Sequence, residues 1–229
     1  MDVFYKALIN EKMFPKTSLP SLDDAKNRVE EFVQKGYDVI VMTISSGISG
    51  THDAIRILFA DNPKVRVVDT KTAVAGIKIL VREANKYLDK SLDFVEQKLL
   101  EIIPRIRALA VPETLEYLHK GGRLSKTGFV VGTLLKIKPI IELRDKVKVA
   151  GKTLGMRSAM KFILSELKNC DTDYPIVPSY TYSEENLDTL ISNTAQEYKN
   201  VMIEKDNIAP AIAAHWGPNA FGYIFVEKR

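Results

Sequence analysis

Residues 38–51 read DVIVMTISSGISGT, a short β-branched run that passes straight into a turn of glycines and serines and then into helix-compatible sequence. Asp38 to Ser45 is apolar on both faces, the pattern of a strand covered on two sides rather than one. The glycines let the backbone reverse within a few residues, and a helix is expected from about Thr51. A strand, a tight glycine turn and a helix in immediate succession commit this part of the chain to layered α/β architecture. In such sheets ligands bind beside the carboxyl ends of the strands.

The rest of the chain repeats that alternation. A helix is expected over about 22–35, with Ser21 and Asp24 as its capping pair and Ala25, Val29, Phe32 and Val33 at helical spacing before Gly36. VRVVD (65–69) reads as a second strand, followed by helices at about 72–88 and 91–103, the latter closed near Pro104. The pattern then restarts. RALAV is a short strand, PETLEYLHK starts a helical segment at Pro112, and an apolar helix is expected around 127–136. KPIIEL and KVKVA are adjacent strands, and helices are expected at about 156–168 and 184–198. YPIVPSYTY, NVMIE, APAIAAHW and AFGYIFVEK complete the alternation. The expected fold is therefore two α/β domains, residues 1–104 with a mainly parallel sheet and residues 105–229 with a mixed sheet.

With 229 residues, 45% hydrophobic and 27% charged, the chain has ordinary globular usage and enough length for a substantial core. No apolar stretch approaches the ~20 residues of a membrane span. The N-terminal MDVFYKALINEKMFPK lacks the basic-then-apolar order of a secretory signal. The single cysteine, Cys170, follows a helical pattern and reads as a small buried residue. These features point to the cytoplasm. The net charge of +4 is unevenly spread: from His119 to Lys161 eleven basic residues face only Glu142 and Asp145. That window is either a solvated face or a docking surface for an acidic or phosphate-bearing partner.

Three segments carry candidate chemistry. The turn Ser45-Ser46-Gly47-Ile48-Ser49-Gly50-Thr51 offers hydroxyls and the free N–H groups of a helix start, which attract an anion. It has neither the Gly-Lys-Ser/Thr of a phosphate loop nor a dinucleotide fingerprint, so a singly charged carboxylate suits it better than a triphosphate. Pro15-Lys16-Thr17-Ser18-Leu19-Pro20-Ser21 holds polar hydroxyls between prolines. His215, in AAHWGPN and expected at a strand end, has the chemistry to orient a carboxylate or act as a base. The three histidines lack paired metal-ligand spacing, so no metal is expected. A serine hydrolase using Ser46 or Ser49 with His215 is the enzyme alternative, although the turn is not a G-x-S-x-G elbow. Nucleic-acid binding through the basic window lacks interleaved aromatics and a reading motif.

PKTSLPS, TISSGISGT, VVDTK, LEYLHKGGRLSK with LLKIKPII, and the terminal HWGP together resemble the DegV family, in order and rough spacing, over essentially the whole chain. The resemblance implies a long-chain fatty acid in a tunnel between two α/β domains, with no cofactor and no catalytic residue. It also implies a separate fatty acid kinase that converts the presented carboxylate to acyl phosphate for phospholipid synthesis. Carried over motif by motif, the expected carboxylate ligands are Thr17, Ser18, Ser45, Ser46, the Gly47 backbone, Ser49 and His215. Lys120, Arg123 and Lys126 are expected to face the kinase. Three features depart from the family pattern. The chain starts just before PKTS, where the family has a further strand with an Asp-Ser-Thr motif. GKTLGMR replaces the usual basic R-x-R, and HWGPN stands in place of HxGPG.

Overall fold

The computed structural model describes residues 2–125, 137–198 and 202–229. Lys126 and the apolar helix expected around 127–136 lie outside them. The first helix, α1 (Asp2–Asn10), had no counterpart in the sequence pattern analysis, although Tyr5 and Leu8 stand at helical spacing and are fully buried. Helix α2 (Leu22–Gln34) starts as its sequence dictates: the Ser21 hydroxyl accepts from the Asp24 amide at 3.1 Å. Strands β1 (Val39–Thr43) and β2 (Val65–Asp69) pair in parallel, with α3 (Thr51–Leu58) as their crossover. Helices α4 (Ala75–Ala84) and α5 (Leu92–Ile102) follow. Because this sheet has two strands, most of β1 is half-buried rather than enclosed.

The second sheet is mixed and larger. It is built from β3 (Ile106–Val111), β4 (Ile137–Arg144), β5 (Lys146–Leu154), β6 (Val177–Tyr180), β7 (Asp206–Asn207) and β8 (Phe221–Val226), in the spatial order β5-β4-β3-β8-β6-β7. All neighbouring pairs are antiparallel except β6 with β7. Helices α6 (Glu116–Lys120), α7 (Met156–Glu166), α8 (Glu185–Glu197) and α9 (Pro210–Trp216) complete the described elements. The mixed α/β class with one small parallel sheet and one larger mixed sheet is as expected. No helix among the described residues is long and apolar enough to cross a membrane.

Side-chain alternation along each strand sets the layers. Val29, Ile55, Phe59 and Val65 pack α2 and α3 on one face of the small sheet. On its other face Val68 meets Ile79, Leu80, Val95 and Leu99 of α4 and α5, and the same cluster continues into Ile106, Val177, Ile224 and Val226 of the large sheet. Helices α4 and α5 are thus sandwiched between the sheets. The outer face of the large sheet buries Leu109, Val111, Phe221, Tyr223 and Phe225 against α7 and α8. Each such fully buried side chain contributes roughly 1.5–3 kcal/mol. Cys170 belongs to this outer cluster, where burial pushes its thiol pKa up, away from thiolate chemistry.

On the inner face, beyond the reach of α4 and α5, the alternation leaves small side chains. Ile141, Ala110, Gly222 and Ser179 stand in register across β4, β3, β8 and β6. The next row is Leu143, Ala108, Ile224 and Val177. Ala110, Gly222 and Ser179 form a shallow trough across the strands, roofed by Val74, Ile208 and Trp216.

Candidate functional site

A cavity of about 170 Å³ opens between the small sheet's glycine turn and the large sheet. Thr17, Ser18, Ser49, Thr51, Arg123 and His215 supply its polar wall; Ile44, Ile48, Leu118, Leu143, Ile212 and Trp216 supply much of its apolar wall. Leu143 and Trp216 also line the trough, so the polar pocket and the apolar trough lie on either side of a shared wall. A second opening, about 300 Å³, lies across His215 and Thr17 and carries Lys16, Lys120 and Arg123 at its rim. The ammonium of Lys120 sits 3.6 Å from the Phe14 ring centroid and 3.4 Å from Glu116.

His215 does not stand at a strand end, as its sequence context suggested. It occupies the last turn of α9, which Pro210 opens and Gly217 closes. Pro210 supplies a pre-set first turn and the alanines have high helix propensity, so PAIAAHW folds as helix rather than strand. The imidazole Nε2 lies 2.8 Å from Thr17 Oγ1, 198 residues away in sequence. Its Nδ1 is buried without a hydrogen-bond partner and packs against the backbone of Gly121, where a side chain would come within 2.4 Å of it. Burial, with the nearby Arg123 charge second, lowers the His215 pKa and favours the neutral ring. In the tautomer protonated on Nε2, His215 donates to Thr17 Oγ1 and leaves the Thr17 hydroxyl proton available to an acceptor such as a carboxylate.

The glycine turn behaves differently from its expectation. Ser45 is fully buried, and its hydroxyl lies 2.6 Å from the Asp145 carbonyl, to which it donates, and 3.1 Å from Asp145 Oδ1, while accepting from the Gly47 amide at 3.1 Å. Ser46 accepts from Lys71 Nζ at 3.1 Å, and its amide donates to Asp69 Oδ1. Gly47 is required because the Asp145 carbonyl would lie 2.4 Å from any Cβ at that position. Ser45, Ser46 and Gly47 therefore face the β4–β5 turn instead of lining the polar pocket. The reason is tertiary: Asp145, a hundred residues downstream, takes the Ser45 hydroxyl, Asp69 takes the Ser46 amide, and the Gly47 amide turns back to Ser45 Oγ. Burial opposes ionisation of Asp69, but hydrogen bonds from Lys71 and Ser46 outweigh it and hold the carboxyl at about 2.

Ser49 keeps its place in the pocket wall, sharing a 2.9 Å hydrogen bond with Thr51 Oγ1. Arg123, expected at a docking surface, reaches into the wall of the pocket, where Nε donates to the Ile48 carbonyl and Nη1 to the Gly121 carbonyl. It is the cation that sequence analysis did not assign to the pocket; the motif LHKGGRLSK was the available signal. Among the described residues, neither Ser46 nor Ser49 is hydrogen-bonded to His215, whose partner is Thr17. No carboxylate orients its Nδ1, so the nucleophile–base–orienter arrangement of a hydrolase is not assembled. No cluster of His, Cys, Asp and Glu among the described residues has the makings of a metal site.

Comparison with known proteins places this geometry in context. Residues 1–228 match the family model described as "Uncharacterised protein, DegV family". A DegV domain-containing protein of Caldanaerobacter subterraneus is 30% identical over 235 residues, covering 99% of this chain and 84% of that protein. Among solved structures, a DegV lipid-binding protein from Thermotoga maritima superposes with a TM-score of 0.85 at 28% identity, over all of this chain and 83% of the other. A fatty-acid-binding DegV family protein from Streptococcus agalactiae gives 0.85 at 26% identity, covering 100% and 84%. A fatty-acid-binding DegV family protein from Thermus thermophilus gives 0.87 at 26% identity, covering 99% and 84%.

Proposed function

The chain belongs to the DegV family, and from that premise we propose that it binds a long-chain fatty acid, carboxylate in the polar pocket and acyl chain along the trough of the large sheet. The observation that carries this reading is that the two spaces adjoin across Leu143 and Trp216: one offers hydroxyls, an imidazole and a guanidinium, the other is apolar. Thr17, Ser18, Ser49, His215 and Arg123 hold the head group. The tail lies between residues 1–104 and 105–229, taken as the two units of the protein. Burial at ~0.8 kcal/mol per methylene supplies most of the affinity, and the polar contacts fix orientation. The spaces as they stand, about 170 Å³ and 30 Å³, are small beside ligand pockets of ~300–1,000 Å³. Entry of a long chain therefore has to displace the packed roof side chains Val74, Ile208 and Trp216.

The protein is a carrier rather than an enzyme in this reading, working in the cytoplasm. The second opening, rimmed by Lys16, Lys120 and Arg123, exposes the head group to a partner kinase that forms acyl phosphate for phospholipid synthesis. Denaturing extraction of the purified protein followed by mass spectrometry tests the first step; a stoichiometric fatty acid is expected, and an empty extract from protein that also fails to take up added acid would overturn it. Reconstitution with a fatty acid kinase and ATP tests the second. Lys120→Glu is expected to retain fatty acid while losing most acyl-phosphate formation; unimpaired formation removes Lys120 from the docking surface.

A further inference from the structure

We infer that Ser179 is a selectivity element of the acyl channel, and that the channel is built for an acyl chain carrying a hydroxyl partway along its length. The inference rests on the fatty-acid reading above and goes beyond it to the class of acid. Ser179 is 4% exposed, and its hydroxyl has no hydrogen-bond partner. Three other buried hydroxyls in this protein are paired, whereas those of Tyr5 and Thr72 also lack a partner. Thr70 donates to the Thr43 carbonyl at 2.7 Å, Thr181 to the Gly217 carbonyl at 2.7 Å and Thr194 to the Leu190 carbonyl at 2.8 Å. Ser179 has no such contact because of where it stands. Its side chain projects from β6 onto the inner face of the sheet, its cross-strand neighbour is Gly222, and the next position in register is Ala110. The strand neighbours on that side are too short to reach it, so the hydroxyl faces the small roofed space of the trough, about 30 Å³.

An orphaned buried hydroxyl carries a desolvation cost that alanine at the same position would avoid. The trough around it is otherwise apolar: Val74, Ala108, Leu143, Ile208 and Trp216 contribute to its lining. A saturated chain passing over Ser179 leaves the hydroxyl unpaired. A chain with its own hydroxyl at that depth loses hydration on entry but gains a hydrogen bond in an apolar medium, where such a bond is strong. Because the protein's hydroxyl is already dehydrated, the ligand's desolvation is the only new cost. Without Ser179 the same ligand hydroxyl would be buried unpaired, so the preference should reverse.

The test is competitive loading. Lipid-stripped protein is offered octadecanoic acid together with a panel of its monohydroxy positional isomers, then washed, extracted under denaturing conditions and analysed by mass spectrometry. One positional isomer is expected to be retained over octadecanoic acid by a factor on the order of ten. In Ser179→Ala that ratio should fall to one or below. Retention of octadecanoic acid with no isomer preferred, or a preference that persists unchanged in Ser179→Ala, overturns the role of Ser179 while leaving fatty-acid binding intact. Retention of none of the acids by either protein overturns the fatty-acid reading itself.

Discussion

The glycine–serine turn and the Pro15–Ser21 segment make opposite use of the same chemistry. The turn packs three serines and two glycines into six residues, yet Ser45 binds Asp145, Ser46 binds Lys71 and Asp69, and Gly47 lets the Asp145 carbonyl pack close, which seats the large sheet's β4–β5 turn on the small sheet. Thr17 comes from an exposed segment with little local structure, and it meets His215 from the far end of the chain. A dense set of donors is thus used to hold the fold together, while two sparse segments converge into the head-group pocket. Donor density in a sequence measures what a segment offers; the tertiary neighbours decide whether the fold or a ligand accepts it.

That contrast breaks most visibly at Gly47. Gly47→Ala drives a Cβ against the Asp145 carbonyl, backbone against backbone, and is expected to destabilise the protein by about 2–3 kcal/mol in urea denaturation. A variant as stable as the parent would show that the two sheets are not seated through this turn. Thr17→Val should do the reverse: stability within about 0.5 kcal/mol of the parent, since the residue is exposed, but fatty-acid affinity weakened roughly five- to tenfold. Unchanged affinity by titration calorimetry would remove Thr17 from the head-group contacts.

The smallest effects separate the regions by pH. His215 has a depressed pKa in the folded state, so its contribution to stability is full above the ordinary histidine value of about 6.5 and is lost as pH falls through the folded value. In ligand-free protein, His215→Gln should flatten the decline in stability just below that value; an identical slope in both proteins counts against a buried neutral imidazole. Asp69, held at about 2, contributes stability that is full above the ordinary aspartate value near 4 and lost as pH falls towards 2. Asp69→Asn should therefore flatten only this lower limb, and a change confined to the upper one would contradict the hydrogen bonds to Lys71 and Ser46.

Most elements were legible along the chain, α1 and the helix of PAIAAHW excepted. VRVVD forms a strand with the bounds its pattern implied, Ser21 caps its helix, and the strand–glycine turn–helix unit folds as its residues dictate, because these depend on periodicity and on contacts a few residues apart. The motifs also carried the family. What lay beyond the sequence depends on distant neighbours. His215 sits on a helix that Pro210 and three alanines set locally, but only packing brings it to Thr17 from 198 residues away. Arg123 became part of the pocket because α6 ends beside the Ile48 carbonyl. The trough could not be read from RALAV, VPSY or FGYIFV singly, since it exists only when Ala110, Gly222 and Ser179 fall into register across three strands. Sequence determined which segments are strands and helices, through local energetics; the tertiary structure alone decided which polar groups remain free, because a donor is free only when no other part of the chain comes near enough to take it.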